Sequence, residues 1–343
     1  MEIRSRAPLR LELAGGGTDL SVYSDQFGGA VFNVAIGMYA YCTIIPTNEE
    51  TIEIVAYDNN NSLKTKSEAV LDITDNNLLL HKGVYNRVVK DYNNGKPLSF
   101  KMYTSNDAPA GSGLGTSSTM VVAILEAFNR WLGLGLNQYQ KALLAYQIER
   151  EDLGLSGGKQ DQYAAVFGGV NLMEFKTDST TLVNQLRVEK SIINELECAM
   201  VLYYCGRSRE SSRIIDEQIK NASNEHDALF ALHQLKSCAY VIKDYVLVGD
   251  YKNFAQTLNN VWEQKKTTTS TVSNKELDDT IEFIKDNGAS SVLLSGAGGG
   301  GIMIIYCPPV NRQKLLDALG TLPGKVFPVK FAKNGVESWI IED

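Results

Sequence analysis

The chain has 343 residues, 44% apolar and 21% charged, with a net charge of −7. This is an ordinary globular composition, and the length fits two domains of about 150 residues better than one. The acidic balance excludes a generic nucleic-acid binder or a protein held on anionic lipid by charge, and no apolar run approaches the ~20 residues of a membrane span.

Five scattered cysteines without a CxxC indicate neither a disulfide framework nor a cysteine zinc site. Glu2, Arg4, Arg6 and Arg10 open the chain with no apolar stretch behind them, so no signal peptide is read there. A reduced, cytoplasmic protein is expected.

Ile3, Leu9, Leu11 and Leu13 alternate with polar or small neighbours, the period of a strand. The loop Gly15-Gly16-Gly17-Thr18-Asp19 follows. Ala40 to Ile45 and Thr51 to Ala56 are β-rich, and Pro46 to Glu50 between them predicts a hairpin. Asn76 to Asn93 predicts a helix closed by Asn93-Asn94-Gly95 and Pro97. Leu98 to Tyr103 predicts a strand. After a glycine loop, Val121, Leu125, Phe128 and Leu132 recur at helical spacing. Asn137 with Gln140 three residues on is a capping box, opening a helix to Glu151. Gly154 to Gly158 interrupts, and Lys159 to Phe167 is again helical. The second half holds a strand at Ala199 to Cys205, helices over Ile214 to Asn260, and a Thr/Ser break at Thr267 to Ser273. A helix at Lys275 to Asp286, Val292-Leu293-Leu294, the stretch Ser295 to Gly301 and a strand from Ile302 to Cys307 follow. The pattern is α+β without repeats.

Gly111-Ser112-Gly113-Leu114-Gly115-Thr116-Ser117-Ser118 sits between a strand and a helix. Glycines let the backbone approach an anion, and the helix start adds its positive dipole end. With Pro109 ahead, three glycines and three hydroxyls, phosphate binding outweighs a plain tight turn. It is not a Walker loop. Gly154 to Lys159 imitates one, but only three residues separate Gly154 from Gly158, and Gln160 stands where Ser or Thr is required. Nor does a parallel βαβ opening support a Rossmann turn. Ser295 to Gly301 is either a strand-start bulge packed on another loop or a second wall of a substrate site. Asp19 is either an Asx turn or a carboxylate for substrate hydroxyls. Asp161 is either a first-turn acid or a general base. The histidines, His81, His226 and His233, have no metal-ligand spacing.

These loops, in this order, resemble the GHMP kinases. Pro109 to Ser118 looks like the family's nucleotide-phosphate loop, Ala7 to Arg10 with Gly15 to Asp19 like its N-terminal motif, and Gly296 to Gly301 like its third motif. The Gly15-Gly-Gly-Thr-Asp19 form, with Ile148 to Gly154 and Gly157 to Gln162, is similar to the heptose-phosphate branch. That branch phosphorylates the anomeric hydroxyl of D-glycero-D-manno-heptose 7-phosphate for nucleotide-heptose and surface-polysaccharide synthesis. The fucokinase branch is close, and Gly16-Gly17 in place of Glu-His departs from the galactokinases.

The resemblance implies a two-domain α+β GHMP kinase fold with the active site in the interdomain cleft, divided into residues 1–175 and 176–343. It implies ATP held by Pro109, Gly111, Ser112, Gly113, Leu114, Gly115, Thr116, Ser117 and Ser118, and Mg²⁺ on Ser117 and Glu149. Asp161 would be the base, with Arg10 beside it. The substrate, a small-molecule sugar phosphate, would meet Gly16, Gly17, Thr18, Asp19, Gln160, Gly298 and Gly299. Its own phosphate needs clustered donors. Arg209, in Arg207-Ser208-Arg209 ahead of Ser211 and Ser212, is one candidate and Lys265-Lys266 another, each set against a solvated surface. A regulator that binds nucleotide and sugar without turnover is the alternative of another class. A homodimer and no nucleic-acid or membrane partner complete the expectations.

Overall fold

The computed structural model describes residues 1–206 and 211–342. Twelve strands among them form two sheets. The first sheet takes β1 (Glu2–Ala14), β2 (Gly29–Pro46), β3 (Thr51–Ala56), β4 (Asn61–Lys66), β5 (Phe100–Asn106), β6 (Val170–Phe175) and β7 (Thr181–Gln185). The second holds β8 (Met200–Tyr204), β9 (Ser291–Leu294), β10 (Ile302–Tyr306) and β11 (Lys325–Pro328). The last strand, β12 (Glu337–Ile341), returns to pair antiparallel with β1.

In chain order the helices are α1 (Ser21–Phe27), α2 (Leu79–Tyr92), α3 (Thr116–Leu132), α4 (Gln138–Gln147), α5 (Gln160–Phe167) and α6 (Lys190–Ala199). Then follow α7 (Ser211–Asn224), α8 (His226–Val248), α9 (Tyr251–Thr268), α10 (Lys275–Asp286) and α11 (Arg312–Leu319). Among the described residues no helix is long and apolar enough to cross a membrane.

The mixture is the α+β class expected. Both sides of the 175/176 division lend strands to the first sheet, because β7 and β12 lie in it. One apolar cluster packs the first sheet on α2 to α5 through Phe100, Phe128, Tyr85 and Ile54. The other joins the second sheet and α8, α9 and α10 to Leu9, Leu11, Leu13 and Phe32.

A register shift between Pro8 and Leu9 is what places the site. Before it, Ile3 and Ala7 face the first cluster; after it, Leu9, Leu11 and Leu13 face the second. Irregularities of this kind re-aim side chains. Here Arg10 and Glu12 emerge on the face opposite Leu11, toward α5.

Two expectations need correction. The hairpin across Pro46 to Glu50 does not form: β5 lies between β2 and β3, pairing antiparallel with one and parallel with the other. The tight turn comes after β3 instead, where Asn60 takes a left-handed conformation and β3 pairs with β4. The helix opened by Asn137 does have its capping box, but it does not run unbroken to Glu151. Ile148 to Asp152 forms a π-turn, with Leu153 N–H donating to Ile148 O at 3.0 Å. Such widened turns re-phase a helix face, often at functional sites. This one carries Glu149 and Arg150.

Candidate active site

The phosphate loop leaves β5 and enters α3 through Gly115, which adopts φ +76° ahead of the first helical residue, Thr116. Gly113 also has positive φ, and a Cβ there would sit 2.4 Å from Ser295 O, so no other residue fits. The Ser295–Gly301 stretch presses on this loop. Ser295 Oγ donates to Gly113 O at 2.8 Å, and Ile302 N–H donates to Ser112 O at 2.9 Å. The loop and the start of α3 border a cleft of about 410 Å³ together with Arg10, Glu149, Arg150, Asp161, Gly296 and Ala297. Ser117 is exposed in the cleft and Ser118 buried beside it, while Leu114 and Ser112 are core.

Arg10 is buried and faces Asp161 at the first turn of α5. Its Nε donates to Asp161 Oδ1 at 2.9 Å, and Nη2 lies 2.8 Å from the same oxygen. Its Nη1 reaches the carbonyl of Gly113. Burial works against the Arg10 charge, and Asp161 and Glu12 outweigh it, holding the guanidinium above its ordinary value.

Behind this pair lies a smaller pocket of about 60 Å³, lined by Glu12, Gly16, Gly17, Asp19, Gln160, Gln218 and Lys265. Lys265 Nζ lies 3.1 Å from Glu12 Oε1, and Gln160 Nε2 donates to Glu12 Oε2 at 2.8 Å. Burial pushes Glu12 up, but Lys265 and Arg10 prevail and its carboxyl sits below the usual range.

Asp19 accepts from the backbone N–H of Gln160 at 3.1 Å and of Gly17 at 3.2 Å. Burial, with Glu12 and Asp161 nearby, still raises it to about 6. Gly158 is required here, since a Cβ would lie 1.9 Å from Asp19 Oδ2. Because the folded-state value is above the unfolded one, the Asp19 carboxylate costs stability as pH rises through the interval from about 4 to about 6. Relative to Asp19→Asn, the wild type is therefore expected to lose roughly 2 kcal/mol between pH 4 and pH 7. Urea melts of both proteins across that range check this; parallel pH curves would contradict the Asp19 environment.

Glu149 is buried and raised by burial, with Arg150, Ser118 and Gln162 opposing. Gln162 Nε2 donates to Glu149 Oε2 at 2.5 Å and to Ser118 Oγ at 3.1 Å. Among the described residues no group of three or more His, Cys, Asp or Glu is placed to hold a metal. A carboxylate and a hydroxyl on one cleft wall nevertheless fit Mg²⁺, which usually takes one or two protein oxygens and completes its shell with phosphates and water.

Several expected residues stand elsewhere. Thr18 spends its hydroxyl pinning the turn, donating to Gly15 O and Ala30 O and accepting from Ala30 N–H. Gly298 and Gly299 pack on Val272, with Gly299 N–H donating to Val272 O at 2.7 Å; Gly296 and Ala297 reach the cleft instead. Pro109 lines a neighbouring depression with Asp58, Tyr204 and Phe327. Lys265 is a buried ion-pair partner, and the solvated member of its doublet is Lys266, 3.0 Å from Glu263. Arg209 lies outside the described residues. The histidines take no part: His81 bonds Thr104, His233 bonds Tyr23, and His226 is exposed.

Glu12, Arg150 and Gln162 have no role in the sequence reading, and Lys265, a candidate there for the substrate's own phosphate, is instead paired with Glu12. Glu12 had a signal, two residues after Arg10 on one strand face. Arg150 adjoins Glu149 in sequence.

A glycine loop on a helix start, a cation–carboxylate pair at its edge and a carboxylate-rich inner pocket define a small-molecule kinase. The GHMP kinases N terminal domain matches residues 79–169, and the GHMP kinases C terminal matches residues 240–323. A D-glycero-alpha-D-manno-heptose 7-phosphate kinase from Campylobacter jejuni is 43% identical over 339 residues, 99% of each chain. The crystal structure of a D-glycero-D-manno-heptose 1-phosphate kinase from Bacteriodes thetaiotaomicron matches with TM-score 0.86 and 43% identity, over 99% of this chain and 100% of that one. A Lactococcus lactis galactokinase complexed with galactose shares the fold at TM-score 0.77 and 15% identity, over 98% of this chain and 95% of that one. The chain belongs to the GHMP kinases.

Proposed function

We propose that this protein transfers the γ-phosphoryl of ATP to the anomeric hydroxyl of a heptose phosphate, D-glycero-D-manno-heptose 7-phosphate, in the cytoplasm. The observation that carries this reading is the Arg10–Asp161 pair, set between the phosphate loop and a pocket lined by Asp19 and Glu12. The heptose-phosphate specificity of the relatives supports the choice of substrate.

The loop N–H groups and the dipole of α3 would hold the triphosphate. Asp161 accepts the proton of the attacking hydroxyl, whose oxygen bonds the γ-phosphorus as the bond to the ADP oxygen breaks. Arg10 fixes the carboxylate that does so. Asp19 and Glu12 are acceptors for sugar hydroxyls. Mg²⁺, when bound, would be held by Ser117 and Glu149 and would neutralise phosphate charge.

Turnover assays with heptose, hexose and fucose substrates, with and without a 7-phosphate, test the reading. Highest kcat/KM on the heptose 7-phosphate is expected; exclusive activity on an unphosphorylated hexose would overturn it. Nucleotide binding without ATP consumption on any of them would favour the regulator instead. Ser117→Ala and Glu149→Gln are each expected to raise the Mg²⁺ concentration for half-maximal nucleotide binding, since each deletes an oxygen ligand. An unchanged Mg²⁺ titration in both would put the metal elsewhere.

A further inference from the structure

Phosphoryl transfer spreads negative charge over the equatorial oxygens of the moving group, and fixed donors must meet it. Among the described residues that line the cleft, the cationic side chains are Arg10 and Arg150. Arg10 has little left to offer: Nε and Nη2 are on Asp161, and Nη1 is on Gly113 O with Ser295 Oγ at 3.5 Å. Arg150 is engaged far more loosely. Nη1 donates to Leu155 O at 3.3 Å and Nη2 to Gly158 O at 3.4 Å, and Nε is buried without a partner. Its carboxylate neighbour, Glu149, is 3.8 Å away.

The position is built rather than accidental. The π-turn that presents Glu149 to the cleft presents Arg150 beside it. The guanidinium lies against the backbone of Gly157, where a Cβ would come within 2.3 Å of Nη2. A planar fork held at low side-chain exposure, with donors to spare, suits phosphoryl oxygens better than a mobile lysine.

We propose that Arg150 is a catalytic residue that contacts the transferred phosphoryl, an arginine supplied in cis to stabilise the transition state. The assignment rests on the kinase reading above. The acceptor hydroxyl oxygen bonds the γ-phosphorus while the bond to the ADP oxygen breaks, ADP leaves with that electron pair, and Asp161 takes the hydroxyl proton. Arg150 exchanges its long bonds to the Leu155 and Gly158 carbonyls for the phosphoryl oxygens as charge spreads over them.

The test compares wild type, Arg150→Gln and Arg150→Lys in steady-state turnover of ATP and heptose 7-phosphate, and in binding of ADP alone and of ADP with aluminium fluoride plus the sugar. For Arg150→Gln, kcat is expected to fall by roughly 10²- to 10³-fold. Both KM values and the affinity for ADP should stay within about threefold, while the aluminium fluoride complex weakens in step with kcat. A structural role would lower ADP affinity and the fluoride complex together, and that result overturns the proposal. So does wild-type kcat, or a rise confined to the sugar KM, which would put Arg150 on the substrate's own phosphate. If Arg150→Gln fails to fold, Arg150→Lys decides. It keeps the charge and loses the fork, so the same split at about tenfold amplitude is expected, and a wild-type fluoride complex overturns the assignment. A wild type that consumes no ATP on any sugar phosphate refutes the kinase reading by itself.

Discussion

Asp161→Asn is expected to slow turnover by roughly 10²-fold or more, the usual scale for loss of a general base. The substitution preserves shape. An Asn oxygen can still accept from Arg10, and Arg10 keeps the Gly113 carbonyl and the nearby Glu12 carboxylate as compensation. ADP affinity should therefore hold, because the phosphate loop and the start of α3 remain in place, propped by Ser295 and Ile302. What disappears is the ability to take a proton as the hydroxyl attacks. Single-turnover rates beside ADP titrations separate the two. A rate within a few-fold of wild type would remove Asp161 from the chemistry and leave it only a partner that orients Arg10.

The parts of this site that were legible in the sequence are the local ones. Glycines at 111, 113 and 115 between a strand and an amphipathic helix announce a backbone that comes close to something, and all three take positive φ. The cap at Asn137 is likewise written in four consecutive residues. The pairing of Arg10 with Asp161 crosses 151 residues, and only the resemblance of whole motifs brought them together. Nothing local in Thr51 to Ala56 says that β5, from beyond two further elements, will occupy its expected partner's edge. In Ser295 to Gly301 composition shows that backbone must approach closely, but not which glycine meets the phosphate loop and which meets Val272. Lys265 and Lys266 are the sharpest case. Two identical neighbours at a helix end receive opposite environments because α9 turns one toward β1 and the other toward solvent.

That contrast makes Lys265→Met the most informative stability variant. Lys265 and Glu12 are 253 residues apart, and both side chains are at most 8% exposed. Lys265 also donates to Leu294 O at 3.1 Å, tying α9 and β9 to β1. Removing the ammonium leaves a buried carboxylate with Gln160 and the field of Arg10 alone, and such losses cost about 3–5 kcal/mol. In wild type Lys265 and Arg10 hold Glu12 below its ordinary value, so this carboxylate contributes stability at neutral pH that is lost as pH falls through its folded-state value. Without Lys265, burial dominates and Glu12 rises above its ordinary value. Its contribution then reverses: it is least unfavourable in acid, where the carboxyl is protonated, and costs stability as pH rises. The deficit of Lys265→Met is therefore expected to be smaller near pH 4.5 than at pH 8, where it is full. The double variant Glu12→Gln with Lys265→Met, which has no buried charge to strand, should recover most of the loss at pH 8. Urea unfolding of the three proteins at both pH values checks this. A deficit of equal size at the two pH values, or no recovery in the double variant, would mean that the packing of the lysine chain matters and its charge does not.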